Sequence, residues 1–270
     1  MRILITGCSS GFGLGTARLL AEQGHDVIAT VRNPATATEL RDLQASGLPI
    51  TIESLDIRDA ENARDVMTRV LENGGLDALV NNAGASIFAA VEATSIDQMR
   101  DLMETNLFGA VRLIQLVLPH MRRRKSGRII NVSSLSGIIP LPYLGAYGAT
   151  KHALDAMSFS LAAEVRPFGI YVTIVSPSGF KTSITDKLWP AGIAVDEPAY
   201  ETGTKIITQK MAGRLNNDPA PVFQAIADLL QTPNPPLRHL IGENAQKLSE
   251  MRRASSDAEW LEYMLAFQKG

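Results

Sequence analysis

Short runs that are apolar from end to end alternate along this chain with longer helical patterns, and this constrains the fold more than any other feature. "RILIT" precedes a helical pattern over about residues 11–23, "DVIAT" one near 36–46, and "ITIES" one over 58–72. "LDALVNN", "GRIINVSS" and "IYVTIVSP" continue the series, separated by long helical patterns around 97–123 and 149–166. Strands that are apolar throughout are buried on both faces, whereas half-exposed strands alternate. Strand–helix alternation then implies right-handed crossovers between parallel strands. The expected fold class is α/β, a single-domain, doubly wound parallel sheet over residues 1–270.

No repeat, low-complexity tract or Pro/Gly/Ser linker divides the 270 residues, a length suited to one large core. A net charge of −2 gives no sustained positive field, so a nucleic acid or an anionic lipid surface is not expected and a small-molecule partner is. The run Arg122–Lys125 is read as a solvated helix end, where cations complement the negative dipole terminus. A single cysteine, Cys8, excludes an intramolecular disulfide, and no His/Cys cluster has metal-ligand spacing. With neither a signal peptide nor an apolar stretch of about 20 residues to read, the expected location is cytoplasmic.

"TGCSSGFGLG", Thr6 to Gly15, follows the first strand and opens the first helix. Gly7 permits a tight turn, Gly11 and Gly13 let backbone approach a ligand, and the free N–H groups of the helix start suit a pyrophosphate. The spacing Gly-x-x-x-Gly-x-Gly differs from the commoner Gly-x-Gly-x-x-Gly. Further on stand Asp56 in "LDIRD", "NNAG" at 81–84, Asn106 in "TNLFG", "NVSS" ending at Ser134, and "YGATK" with Tyr147 and Lys151. In this order along an alternating α/β pattern, the set resembles the short-chain dehydrogenase/reductase family over roughly residues 2–182, with most likeness to its hydroxysteroid and retinol dehydrogenase branch.

The resemblance implies a Rossmann-type fold with a cofactor-binding and catalytic core in residues 1–182. Residues 183–270 would form a helical substrate lid and a last strand, "PPLRHLIG". It also implies a hydride transfer between a nicotinamide and a carbonyl or alcohol, accompanied by proton transfer at the substrate oxygen. Tyr147 is the candidate acid. A free tyrosine titrates near ~10, and a neighbouring cation stabilises its phenolate, so Lys151, one helical turn on, is expected to lower it. In the family the matching lysine also reaches the nicotinamide ribose, the matching serine (Ser134, with Ser133 as the competing choice) bonds the reacting oxygen, and the matching asparagine (Asn106) holds a water that links the lysine to solvent. Singly, each has another reading: Ser134 as a cap, Asn106 as a satisfied group in a bent helix, Lys151 as a surface cation.

Expected cofactor contacts are Gly7, Ser9, Ser10, Gly11, Phe12, Gly13, Arg32, Asp56 and Ile57 (at the adenine), Asn82, Ala83, Gly84, Lys151, Pro177 and Thr182. Asp56 is alternatively a helix N-cap, and Asn81 a bridge between strands. No acidic residue stands between Val27 and Thr38 to take a ribose 2′-OH, while Arg32 suits a 2′-phosphate, so NADP(H) is expected over NAD(H). The loop "SPSGFKT" departs from the family's Pro-Gly after the sixth strand, which leaves the role of Ser178 open. Ile139, Leu141, Tyr143, Leu188 and Trp189 are candidates for an apolar substrate pocket, although core packing accounts for such side chains equally well. The resemblance further implies a homodimer or homotetramer paired through its long helices, with Ala149, Ala153 and Ala156 at the seam unless these face the chain's own sheet. The competing functions are a silent dinucleotide sensor and another chemistry of the family, epimerisation or dehydration.

Overall fold

All seven strands run parallel in one sheet of order β3-β2-β1-β4-β5-β6-β7. A computed structural model of the chain describes residues 1–180, 198–203, 205–206, 209 and 217–269. The strands are β1 (Arg2–Thr6), β2 (Asp26–Val31), β3 (Ile50–Ser54), β4 (Ala78–Asn81), β5 (Gly127–Val132), β6 (Ile170–Pro177) and β7 (Arg238–Ile241). β1 lies between β2 and β4, with Ile3 opposite both Val27 and Ala78. The order reverses there, and such a switch point leaves a crevice beyond the strands' carboxyl ends.

The apolar runs of the central strands have their expected cause. Ile3 and Ile5 enter one core with Val27, Ala29, Val80 and Val175, while Leu4 enters the opposite core with Ile28, Leu79 and Ile129. The first core is closed by helix α1 (Gly11–Glu22) and by Ala220–Gln231, which buries Val222, Ile226 and Leu230. The "PVFQAIADLLQ" segment thus belongs to the flanking layer of the sheet rather than covering the site. The second core is closed by α3 (Ala60–Glu72) and α5 (Gly109–Arg124), with Val66, Met67, Leu113 and Val117 fully buried, and by the long helix α6 (Gly145–Val165).

Two helix boundaries matter for function. α6 begins at Gly145, four residues earlier than the sequence pattern suggests, which brings Tyr147 and Lys151 into one helix. The single helix expected over 97–123 is instead α4 (Ile96–Met103), a π-helical turn over Glu104–Phe108, and α5. Such turns are common at functional sites, and this one carries Asn106, which is buried. Past β7 the chain ends in Ala245–Ala254 and Asp257–Lys269, helices α8 and α9 of the described residues, Ala220–Gln231 being α7 and Thr38–Ala45 α2. Among the described residues no helix is long and apolar enough to cross a membrane, and no group of three His, Cys, Asp or Glu side chains is placed to hold a metal ion.

Candidate active site

A cleft of about 480 Å³ runs along the carboxyl ends of the strands. Gly7, Ser9, Ser10, Gly11 and Phe12 line its middle, Arg32, Asp56, Ile57 and Arg58 its β2–β3 side, and Val132, Ser133, Tyr147 and Lys151 its β5–α6 side. Gly7 and Gly11 adopt φ of 74° and 60°, the left-handed region that glycine enters without a Cβ penalty. A Cβ on Gly7 would also lie 2.9 Å from Ala83 Cα. No acidic side chain occupies the first turn of α1, and Ser10 caps it without a side-chain hydrogen bond to the helix. The N-terminal N–H groups and positive dipole end therefore suit an anionic phosphate group. Gly13 departs from expectation: it is buried away from the cleft, and a Cβ there would meet Gly7 O at 2.4 Å and Asn82 Nδ2 at 2.5 Å. Its missing side chain serves close packing of two loops, not ligand approach.

Those loops are tied by hydrogen bonds. Thr6 Oγ1 accepts from the backbone N–H groups of Asn82 and Ala83, both at 2.9 Å, and Asn82 Nδ2 donates to Thr6 O at 2.7 Å. Asn82, Ala83 and Gly84 line the cleft as expected, so Asn82 both borders the cavity and holds the glycine loop. Asn81 takes its structural reading, donating to Asn131 Oδ1 at 2.9 Å across β4 and β5.

Asp56 lines the cleft, yet its carboxylate is gripped by Arg58 through Nε at 3.1 Å and Nη2 at 2.8 Å. That hydrogen bond, with the nearby charge of Arg32, holds Asp56 below its ordinary value. Asp56 is not the N-cap of α3; Asp59 is, accepting from Glu61 N and Asn62 N. Arg58, missed by the sequence reading although it stands in the quoted "LDIRD", gives this side of the cleft a second cation beside the exposed Arg32. Ile57 sits under the π-helical turn, its Cδ1 so close that a Cβ on Gly109 would lie 2.8 Å away.

At the other end, Ser134 stands beside Tyr147, where its hydroxyl favours the phenolate. Ser134 also accepts from Ser136 N at 3.1 Å, capping a short 3-10 turn. Lys151 is buried and its Nζ donates to Val132 O at 3.0 Å, 5.8 Å from the centre of the Tyr147 ring. Burial pushes the Tyr147 phenol above its ordinary value, opposed by Ser134 and reinforced by Asp155. The direction at Tyr147 is thus upward, against the lowering expected from Lys151, and Ser134 is the group that favours the phenolate. Burial also brings the Lys151 ammonium down to about 8, against the attraction of Asp155.

Asn106 faces this pair from the π-helical turn. Its Nδ2 donates to Ala85 O and Thr150 Oγ1, both at 2.9 Å, and its Oδ1 accepts from Ala85 N at 2.8 Å. It fastens the loop after β4 to α6, and a Cβ on Gly84 would fall 3.3 Å from Asn106 Oδ1 and 3.7 Å from Lys151 Nζ.

The substrate candidates divide. Ile139 is 1% exposed and packs with Leu135 and Trp260, so it is core; an apolar side chain looks the same in sequence whether it lines a core or a pocket. Leu141 packs against that cluster and a neighbouring one that contains Phe88, Leu144, Tyr143, Tyr147 and Phe267. Tyr143 stacks on Phe88 at 5.9 Å between ring centres and meets Tyr200 edge-on at 6.5 Å, held at φ 63°, a conformation rare for a bulky residue and common at functional sites. Pro177 ends β6 opposite Ile241, buried outside the cleft lining, and Ser178 N continues the ladder to Ile241 O at 2.8 Å. The altered loop thus spends its first amide on the sheet. Thr182, Leu188 and Trp189 lie outside the described residues. Phe88, Tyr200 and Phe267 were not foreseen, and no local spacing announces them.

A doubly wound parallel sheet with a glycine-lined cleft at its switch point defines a dinucleotide-binding fold of the Rossmann class. The short chain dehydrogenase family model matches residues 1–192. The chain is 34% identical over 268 residues to 3-ketodihydrosphingosine reductase of Bacteroides thetaiotaomicron, covering 97% of this chain and 96% of that one. It is 31% identical to human retinol dehydrogenase 8, with 94% and 85% covered. A solved short-chain dehydrogenase from Streptomyces avermitilis superposes with TM-score 0.84 at 37% identity, covering 98% and 97%. A metagenomic short-chain oxidoreductase solved with NADP matches with TM-score 0.71 at 25% identity, covering 89% and 96%, and a Burkholderia phymatum structure solved with NAD shares the fold with TM-score 0.81 at 20% identity, covering 93% and 92%. This chain belongs to the short-chain dehydrogenase family and is an oxidoreductase of that family.

Proposed function

We propose that the protein reduces a carbonyl, or oxidises the corresponding alcohol, on a largely apolar or aromatic molecule, with NADP(H) as cofactor and Tyr147 as the proton donor or acceptor. The observation that carries this reading is Tyr147 on the wall of the glycine-lined cleft, beside Ser134 and with the buried Lys151 ammonium 5.8 Å from its ring centre. The bound nicotinamide supplies or accepts the hydride. The chain's own work is the proton. With its phenol raised by burial, Tyr147 keeps its proton at neutral pH and can release it to an oxygen that gains negative charge; Ser134 then donates to the phenolate left behind. Lys151 adds a positive charge at the same end of the cleft, and Asn106 keeps the loop after β4 and α6 in register.

The dinucleotide is held, in this reading, by the left-handed Gly7 and Gly11, the α1 terminus and the Asn82–Gly84 loop, with Ile57 and Asp56 at the adenine. Arg32 and Arg58 supply positive charge where a 2′-phosphate would add negative charge; one carboxylate, Asp56, is already neutralised by Arg58. Tyr143 and Phe267, partly buried and packed with the Tyr147 ring, support an apolar substrate. So do relatives named for 3-ketodihydrosphingosine and retinol. A homodimer or homotetramer through α6 belongs to the same proposal, since Ala149 and Ala156 are exposed rather than turned to the sheet, beside a half-exposed Met157. The decisive experiment follows NADPH oxidation against ketones and aldehydes that include steroids and retinal. Tyr147→Phe is expected to lose about 10²-fold or more in turnover while binding NADPH as the wild type does. A variant that keeps most of its turnover refutes the assignment.

A further inference from the structure

One turn beyond Lys151 on the same helix lies Asp155, with a side chain only 5% exposed. Residues four apart share a helix face, so this carboxylate stands behind the ammonium, on the side away from the cleft lining. Its Oδ2 is 2.6 Å from Arg238 Nη1, which also donates to Ser176 Oγ at 3.0 Å. Asp155 thus joins α6 to the ends of β6 and β7. A Cβ on Gly137 would sit 2.7 Å from Asp155 Oδ2 and 2.8 Å from Ser133 Oγ, which places the same carboxylate against the strand end that leads into Ser134.

We propose that Asp155, held by Arg238, is a positioning residue of the proton-transfer site: its negative charge keeps Lys151 charged, and its contacts seat the Tyr147 helix against the Ser133–Ser134 strand end. The charged or titratable groups facing it are Lys151 and Tyr147 from α6 and Arg238 from β7; β6 and the β5 end offer the neutral Ser176 and Ser133. Lys151 itself is met by Asp155, by Tyr147 and by the Val132 carbonyl. A buried ion pair alone is weak evidence of stability, because an apolar pair of similar volume packs as well. A carboxylate, unlike an apolar side chain, opposes the loss of a proton from the neighbouring ammonium, and the direction at Lys151 agrees: burial lowers it and Asp155 raises it.

The proposal rests on the reading of Tyr147 and Lys151 given above, but its test needs no substrate. Urea unfolding is measured from about pH 6 to about pH 11, for wild type against Lys151→Met and for Asp155→Asn against Asp155→Asn/Lys151→Met. The difference within each pair isolates Lys151, and the pH at which that difference begins to change reports loss of its proton. With Asn at 155 the onset is expected about one pH unit lower, the scale of one nearby opposite charge, and Asp155→Glu restores it. A purely structural Asp155 would lower stability at every pH and leave the onset unmoved, which overturns the proposal. If Asp155→Asn does not fold, the same comparison sets Asp155→Asn/Arg238→Met against Arg238→Met, so that both lack the Arg238 charge; a lowered onset in the former supports the inference and an unmoved one overturns it. Failure here leaves the Tyr147→Phe result untouched, so the two readings fall separately.

Discussion

Replacing Lys151 with methionine should make the folded chain more stable at neutral pH while removing its turnover. Lys151 is 5% exposed, and burial brings its ammonium from the ordinary 10.5 to about 8. At about 1.36 kcal/mol per pH unit, holding that charge in the interior at pH 7 costs about 3 kcal/mol relative to the unfolded chain. Methionine fills a similar length without a charge but leaves the Val132 carbonyl without the ammonium hydrogen bond, a loss of about 1–2 kcal/mol. The expected net gain is about 1–2 kcal/mol at pH 7. The sign with pH follows from proton uptake: a folded-state value below the unfolded one means that the unfolded chain binds more protons between them. Wild-type stability therefore carries a component that rises from about pH 8 to about pH 10.5. Lys151→Met lacks it, so the variant's advantage shrinks over that window. Urea unfolding of both proteins without dinucleotide, at about pH 7 and again at about pH 10.5, measures the effect. A variant that is less stable than wild type at neutral pH, or an advantage that does not change with pH, refutes the reasoning.

Arg32→Asp should weaken NADPH by about tenfold or more, the worth of one charged hydrogen bond, and leave NADH little changed; equal losses in fluorescence titrations with both would remove the 2′-phosphate role. Cys8 is fully buried, with its thiol pushed up to about 12, so it should resist iodoacetamide in the native protein and react after unfolding; rapid native labelling would contradict its burial.

Much of the fold is legible in the residues because central parallel strands enclosed on both faces are largely apolar: Ile3, Leu4 and Ile5 feed two different cores yet read as one uninterrupted run. The glycine loop and the Tyr147–Lys151 spacing are legible for a related reason, since a left-handed turn and a shared helix face are local constraints. The π-helical turn at Glu104–Phe108 is not, because its one extra residue leaves the apolar rhythm almost unchanged. Nor could local spacing bring Phe88, Tyr147 and Phe267 together, as they reach one cluster from three distant segments. Desolvation of Tyr147 and Lys151 is equally invisible: the motif displays a cation near a phenol, whereas the balance between charge and burial depends on what the rest of the chain packs around them.

The interlock of Gly7 and Gly13 with Asn82 and Ala83 has a practical consequence for redesign. Any transplant of the first loop from a relative would import a turn shaped for a different counterpart some seventy residues away, and any side chain larger than hydrogen at position 13 would wedge the two apart. Engineers who want a new nucleotide preference should move both segments as one inherited module, or confine their changes to the outlying arginines.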